Sequence, residues 1–543
     1  MNPYPTVPEY YQDGVWYRKR FNISASQTDA FVKLMFYSVN YVADVWLNDV
    51  YLGYHEGGYT PFAFDVTSAL NYNGENIIVV RVDNPYWNSR NDIVPYTACD
   101  WFNYTGIIHD VYLEFSHSVS VLRTNIVPQN VNGDFQTSVV ISNDMDVTKN
   151  VSVDVEVFEA DINENNFNAE SASEIVGVQV PVSGLTNTTV SVLGDSVNVW
   201  QTNLNLSNPK LWSMKNPNLY VMKVKLTLDG NVVDEYYTQF GIRKLDVVSD
   251  KFFLNDQTVF LTGVARHEDH PVLGRSIPID TIYSDLKKVK EVKATSLRTA
   301  HYPNHLQTYL LADRLGIAVI EEIPVWWFDT EAAWNVQNNE RHIHEQMFRE
   351  MVFKDYNRPS IFLWSTTNEC LDVPNRKIFI DRVNQDLKQN YNDGRFITQS
   401  AAADRPGSTD DSQLACDVMG WTMYFGVFHG STYFTGTYNF LNAVKTNLPG
   451  KPILDTEFGY WSSENGSTTQ KQIDVFSYTF LALATHAPVY SDGSLNNAGA
   501  LMGCTWWCIF DWYSHQHAGG YQSMGLYGMD LSLIHISEPT RPY

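Results

Sequence analysis

Charge is scarce in this chain of 543 residues and leans one way: charged residues make up 18%, with 37 Lys and Arg against 61 Asp and Glu, a formal net charge of −24. So acidic a surface repels nucleic-acid phosphates and anionic lipid, so neither nucleic acid nor membrane is an expected partner. No run of about 18 apolar residues occurs, which removes a transmembrane helix. Cysteines are few, odd in number and scattered (Cys99, Cys370, Cys416, Cys504, Cys508). No disulfide framework is legible, and the Cys504/Cys508 spacing is not a zinc knuckle. Most of them are expected as buried thiols. The N-terminus, MNPYPTVPEYYQDG, lacks the basic start and apolar stretch of a secretory signal. The chain is cytoplasmic if Met1 is the true start; Met1 is equally compatible with an internal methionine, which leaves localisation open.

What is present is material for large cores. Hydrophobic residues reach 44%, which excludes wholesale disorder, and the length predicts three or four domains. Aromatic residues reach 14%, with 15 Trp and 32 Tyr. Core and sheet packing is the plainer reading of them; platforms under sugar rings is the sharper one. The last thirteen residues, LSLIHISEPTRPY, resemble a translated sequencing adapter. Residues 531–543 are therefore set aside as a non-native tail, as in a fragment of environmental DNA, with a short strand from Leu531 to Ile536 as the alternative.

Residues 1–117 read as all-β. Val42–Leu47 is rich in strand formers, Asn48-Asp49 follows as a turn, and Ile77–Val82 is a further strand after Gly74. Short strands with turn signals predict a sandwich or jelly roll. Residues 118–243 read as a second β sandwich, with strands at Val151–Val157, Leu219–Leu228 and Asp234–Phe240 and turns at Asn208-Pro209 and Asn216-Pro217. After Gly241 short apolar strands alternate with helical patterns. Asp280 is placed to cap a helix through Ile282, Leu286, Val289 and Val292, and Ile343, Met347 and Met351 mark another. Strands are expected at Leu261–Val264, Thr295–Arg298, Ile317–Ile320, Ile361–Trp364, Ile397–Ser400, Val418–Thr422, Ile453–Asp455 and Gly503–Ile509. Eight such strands over 244–530 predict a (β/α)8 TIM barrel, one that lacks its last helix if the chain stops near Asp530. An open barrel of that kind would expose strand edges and apolar helix faces.

In such barrels the chemistry sits at the C-terminal ends of the strands. Arg298 and His301 follow the second, Asn368 and Glu369 the fourth, and Tyr424 and Phe425 the sixth. Glu457 follows the seventh, and Trp507 and Asp511 the eighth. Two carboxylates across a barrel mouth can flank a glycosidic bond, one protonating the departing oxygen while the other attacks the anomeric carbon. Arg298 could hold Glu457 ionised, since a nearby cation favours the carboxylate. From spacing alone, a glutamate after a strand is more often a salt-bridge partner. His515-x-His517 is a weak metal pattern and reads as a solvent loop.

The segments VWLNDVYLGYHEGGYTPFAFDVTSAL, DWFNYTGIIHDVYLE, FGIRKL, TGVARHEDHP, LRTAHYPNH, NRPSIFLWSTTNE and ILDTEFG occur in this order. Together they resemble glycoside hydrolase family 2, the β-galactosidase and β-glucuronidase family, over residues 10–530. The resemblance implies a jelly-roll sugar-binding domain, an immunoglobulin-like β sandwich and a catalytic barrel. It implies a retaining exo-β-glycosidase working through a covalent glycosyl-enzyme, with carboxyls about 5–5.5 Å apart. Glu369 would be the general acid/base and Glu457 the nucleophile. Asn368 would hydrogen-bond the sugar 2-hydroxyl and Tyr424 would support the nucleophile, although Thr422 stands where Asn is common. His267, Arg298 and His301 match positions around the sugar, Trp507 the platform tryptophan, and Asp100 an acid reaching from the jelly roll to hold hydroxyls. For each histidine a buried structural hydrogen bond is the competing reading, and for Asp100 a loop cap. Some members hold magnesium after the third strand by an acid and a His two residues later. IEEIPVWWFD has no such His, so no metal cofactor is carried over and neither Mg nor Na is supported.

The glucuronidase branch grips the sugar carboxylate with Asn-x-Lys after the eighth strand. Here GGYQSMGLYGMD offers neither residue, and an unpaired carboxylate in an acidic protein is costly. DWFNY looks glucuronidase-like, while HEDHP and HYPNH look more like the galactosidase branch. A β-galactosidase is the expectation, with β-glucuronidase or another β-glycosidase of the family as alternative. The rival from another class is a carbohydrate-binding protein or an inactive truncated fragment, against which intact Glu369 and Glu457 argue. An active parent and a marginal fragment are expected. No oligomer interface is legible, and a homo-oligomer stays open.

Overall fold

Period-two alternation builds the first domain. Its strands are β1 (Asp13–Ile23), β2 (Phe31–Phe36), β3 (Val42–Leu47), β4 (Val50–Glu56), β5 (Phe62–Asp65), β6 (Gly74–Asn84) and β7 (Val111–Ser116) in the computed structural model, which describes residues 6–186, 188–463 and 468–532. In β3 Ala43, Val45 and Leu47 are buried while Val42, Asp44 and Trp46 point outward. Asn48 and Asp49 take φ of 49° and 66°, the left-handed pair that a two-residue hairpin loop requires. One sheet runs β1-β6-β3-β4 and the other β5-β2-β7, closing over Val32, Phe36, Val45, Val80 and Val82.

The second sandwich comprises β8 (Val119–Pro128), β9 (Asp134–Asn143), β10 (Lys149–Ala160), β11 (Val176–Val180), β12 (Ser196–Leu206), β13 (Tyr220–Leu228) and β14 (Asn231–Phe240). One sheet carries β8-β9-β12 and the other β11-β10-β13-β14. Along β13 Met222, Val224 and Leu226 are buried while Lys223 and Lys225 face outward. Arg243, at the exit, is buried and donates to the carbonyls of Pro359 (2.6 Å) and Ile361 (2.9 Å), tying this domain to the barrel.

The third domain is a closed barrel of eight parallel strands, β15 (Leu261–Ala265), β16 (Ser296–Thr299), β17 (Ala318–Glu322), β18 (Ile361–Asn368), β19 (Phe396–Ala402), β20 (Met419–Thr422), β21 (Ile453–Glu457) and β22 (Leu501–Trp506). Buried on both faces, these strands read as near-continuous apolar runs rather than alternating ones. β22 pairs with both β15 and β21, so the expected open edge is absent. The ring is closed by backbone hydrogen bonds between neighbouring strands. Among the described residues no helix follows β22. On α6 (Thr469–Ala484) Phe476, Tyr478 and Leu481 are exposed, as expected for an uncovered helix face. The predicted helices are α1 (Ile279–Glu291) and α3 (Ile343–Lys354), with α2 (Leu306–Leu315), α4 (Val373–Asn390) and α5 (Tyr433–Asn447) beside them. The cap of α1 is not Asp280. The helix starts two residues earlier than that cap would place it, at Ile279 with Pro278 as N-cap, and Asp280 sits in the first turn accepting from Asn168.

All five cysteines are free and buried. Among the described residues no helix is long and apolar enough to cross a membrane. Of the tail, only Leu531 and Ser532 fall within the described residues, so the alternative strand Leu531 to Ile536 lies largely outside them.

Candidate active site

One glutamate follows the fourth barrel strand and another ends the seventh, and their neighbours hold them by different means. Glu369 follows β18 with φ of 48°, a left-handed conformation that costs a non-glycine residue about 1–2 kcal/mol. Pairing on both sides enforces it: Asn368 N donates to Val325 O at 2.8 Å and Glu369 N to Ser400 O at 2.7 Å. The carboxylate accepts from Thr422 Oγ1 (2.6 Å) and Trp327 Nε1 (3.0 Å). Glu457, the last residue of β21, accepts from Arg298 Nη1 (2.6 Å) and Tyr424 Oη (2.9 Å). Burial raises its carboxyl to about 8, with the charge of Glu369 adding to the rise and Arg298 and Tyr424 opposing it.

Arg298 is the hub. Its guanidinium is inaccessible to solvent and donates to Glu322 at 2.7–3.1 Å, to Glu457, to Thr456 O (3.1 Å) and to Asn368 Oδ1 (2.7 Å). Burial alone would lower its pKa, but Glu322 and Glu457 more than offset this and raise it. Arg298 thus spends its donors on acceptors of the protein itself, two carboxylates among them. The bond to Asn368 Oδ1 fixes that amide's orientation and leaves its amine as the remaining donor. His301 stands in the same network, its Nδ1 2.8 Å from Glu322 Oε1 and its ring stacked on Trp507 at 4.8 Å.

The other predicted residues fall into two groups. Asp100 reaches the mouth from the jelly roll. Its Oδ1 accepts from Ser514 Oγ (2.7 Å) and Gln522 Nε2 (2.9 Å), and burial raises its carboxyl to about 6, with Glu369 adding to the rise. Trp507 is buried between His301 and an edge-on Trp512. His267 lies behind this wall: its Nδ1 is 3.3 Å from Tyr302 Oη, its Nε2 is shielded from solvent without a partner, and burial holds it neutral. Asp511 accepts from Tyr521 Oη and Gly525 N beneath the surface. Phe425 packs on Phe440, away from the carboxylates.

Sequence reasoning missed Glu322, Trp327, Ser514, Gln522 and Trp512. The first two lie in IEEIPVWWFD, a stretch read only for a metal ligand; its paired acids and paired tryptophans were the available signal. Gln522 lies in the segment read for Asn-x-Lys, and it bridges Asp100 to Trp461 Nε1 (2.7 Å). His515 is not in a solvent loop: its Nε2 accepts from Asn103 N at 3.0 Å and its ring packs among Tyr10, Trp87 and Phe102.

Comparison with known proteins agrees with this architecture. Residues 3–116, 120–243 and 245–526 match, in turn, the sugar binding domain, the central domain and the TIM barrel domain of glycosyl hydrolases family 2. A β-galactosidase of Thermoanaerobacterium thermosulfurigenes is 30% identical over 398 residues, 72% of this chain and 52% of that protein. A β-glucuronidase of Streptococcus agalactiae is 28% identical over 470 residues, 82% of this chain and 74% of that protein. The crystal structure of a Bacteroides uniformis β-glucuronidase superposes with a TM-score of 0.82 at 21% identity, covering 98% of this chain and 64% of that one; this is likeness of fold. The chain spans 41% to 52% of the length of three of the curated relatives it matches.

Proposed function

The chain belongs to glycoside hydrolase family 2, and from that premise we propose that it is a retaining exo-β-glycosidase for a terminal neutral sugar, a β-galactoside first. The observation that carries this reading is the asymmetry of the two carboxylates. A guanidinium and a phenol hold Glu457, whereas a hydroxyl and an indole hold Glu369. The two sense each other through space, since the charge of Glu369 adds to the burial that raises the Glu457 carboxyl. The guanidinium 2.6 Å from Glu457 favours that residue's ionised form, the form a nucleophile needs.

The chemistry follows in two displacements. Glu369 gives its proton to the glycosidic oxygen as the bond to the anomeric carbon breaks, and Glu457 forms a bond to that carbon. The departing alcohol leaves, and the glycosyl-enzyme ester remains. A water then enters; Glu369 takes its proton, the hydroxyl attacks the anomeric carbon, and Glu457 departs as carboxylate. Asn368, held through its oxygen, offers its amine to the 2-hydroxyl, and Trp507 with Trp512 forms the apolar wall.

A neutral sugar is favoured because the charges acting most on Tyr424 are Glu457, Glu369 and Asp100, all carboxylates. Arg298 is already committed to Glu322 and Glu457, and Gln522 stands in the segment where a lysine would grip a uronate. The test is hydrolysis of chromogenic β-glycosides, led by galactoside and glucuronide, with NMR of the first-formed anomer and Glu457→Gln as control. Cleavage of the galactoside with retention is expected. Cleavage of the glucuronide alone would overturn the choice of sugar. An inverted product, or full activity in Glu457→Gln, would overturn the mechanism.

A further inference from the structure

The outer face of the jelly-roll sheet β1-β6-β3-β4 carries aromatic rings that the barrel mouth does not use. Two rows cross the four strands. In the first, Trp16 pairs with Arg81, Arg81 with Asp44, and Asp44 with Tyr54. In the second, Arg18 pairs with Val79, Val79 with Trp46, and Trp46 with Tyr51. Paired residues share a face, and the opposite face, with Ala43, Val45, Val80 and Val82, is in the core. Trp16 is 63% exposed, Tyr54 62% and Tyr51 50%. Trp16 and Trp46 lie 5.8 Å apart at 27°, and Trp46 and Tyr51 5.2 Å apart. From β1 to β4 the row spans about 14 Å, long enough to underlie more than one pyranose ring.

We propose that this face is a second carbohydrate-binding surface, separate from the barrel mouth, for a neutral polysaccharide whose pyranose rings present flat C–H faces. Two observations select that occupant. First, the rings are interleaved with hydrogen-bonding groups lying in the same surface: Tyr51 Oη donates to Asp44 Oδ1 (2.9 Å), and Arg81 reaches Asp44 Oδ2 (3.5 Å) and Asp83 Oδ2 (3.1 Å). A sugar needs this combination, apolar area under its ring and donors and acceptors at its edge. A protein partner would meet a charged centre, whereas the cores of protein interfaces are depleted of charge. Second, the chain carries −24 overall, which disfavours a polyanion of uronic acids.

The test uses the full chain with Glu457→Gln, so that the probe is not consumed. It is run through gels containing soluble β-galactan, galactomannan or β-glucan, with polygalacturonate as the anionic counterpart. At least one neutral polymer is expected to retard it and polygalacturonate to leave it unretarded. Trp16→Ala and Tyr54→Ala, each in an exposed ring, are expected to weaken retardation about threefold to tenfold each, the size of one lost stacking contact. Trp16→Phe, which keeps a ring, is expected to restore most of it. In the chain with Glu457 intact, both alanine variants are expected to hydrolyse a small chromogenic glycoside as the parent does. Equal retardation of parent and variants would place the polymer in the barrel mouth and overturn the inference while leaving the proposed function untouched. Absence of retardation by all three neutral polymers would overturn it as well. So would sedimentation showing a dimer that Trp16→Ala dissociates, since the face would then belong to a second copy.

Discussion

The immunoglobulin-like sandwich and the barrel mouth are built on opposite rules. Between Val119 and Phe240 no Asp, Glu, Lys or Arg is buried among the described residues, and the core is Val, Ile, Leu, Met and aromatic side chains. At the barrel mouth Arg298, Glu322, Glu457, His301 and Asn368 are each at most 5% exposed and bonded to one another. The sandwich gains stability from the apolar residues it buries. The mouth offsets the desolvation of several charges only through near-complete pairing, which is an expensive way to hold a fold and a direct way to fix a carboxylate in place. The difference separates residues kept for stability from residues kept for chemistry, and substitutions can break it in order of size.

Glu457→Gln is expected to show the largest effect. Hydrolysis of the glycoside identified in the panel should fall on the order of 10⁴-fold, since the covalent route is lost while the mouth keeps its shape. Calorimetry should find the thermal midpoint unlowered, because the substitution removes a carboxyl whose burial had already pushed it to about 8. A variant that unfolds early, or one that keeps its rate, would erase the distinction between the two regions.

Arg298→Met strikes the same network from its centre. It leaves Glu322 and Glu457 facing each other without their cation. Breaking a buried pair from one side costs about 3–5 kcal/mol, so stability and activity should fall together. The loss should shrink as the pH is lowered, because both stranded carboxyls can then protonate. Denaturant midpoints at pH 5 and pH 8 read this out, and equal losses at the two values would count against the network as drawn.

Leu226→Ala inverts the profile. Leu226 is fully buried in the sandwich core, and truncation there should cost about 3 kcal/mol. Its hydrolysis rate well below the unfolding temperature should match the parent's, and its loss of stability should be independent of pH. In a chain of three domains the loss appears as a shift of the least stable transition rather than a single global one. A changed pH optimum in this variant would show that the two regions are coupled.

The same contrast explains what was legible in the sequence. Alternation in β13 and the Asn48-Asp49 turn could be read directly, because burial and backbone conformation leave a local signature. The eight barrel strands showed as apolar runs, but their polar upper ends did not. β18 runs on to Asn368 through Ser365, Thr366 and Thr367, where hydrogen bonds rather than apolar contacts hold the chain. Glu369 and Glu457 stand out in the sequence because each closes a motif. Glu322 was not, because its meaning comes from Arg298, 24 residues away, and from Glu457 beyond that. Asp280 misled for the converse reason: an acid near a helix start resembles a cap whether or not its own backbone has entered the helix.

Asp100 carries the smallest and sharpest prediction, since it belongs to neither region: it extends from the jelly roll into the mouth. Both of its protein donors, Ser514 and Gln522, go to Oδ1, and Oδ2 has neither of them. Asp100→Asn therefore changes the second oxygen and keeps the first bonded. With its carboxyl raised to about 6, Asp100 is protonated below that pH and ionised above it, and only the ionised form is a full acceptor for a sugar hydroxyl. KM for the glycoside should fall about fivefold as pH rises through 6 in the parent, the weight of one net hydrogen bond. In Asp100→Asn that dependence should vanish, while kcat keeps the parent's pH profile. If kcat loses its profile as well, Asp100 shares the proton of the catalytic pair, and the mouth has three acting carboxyls rather than two.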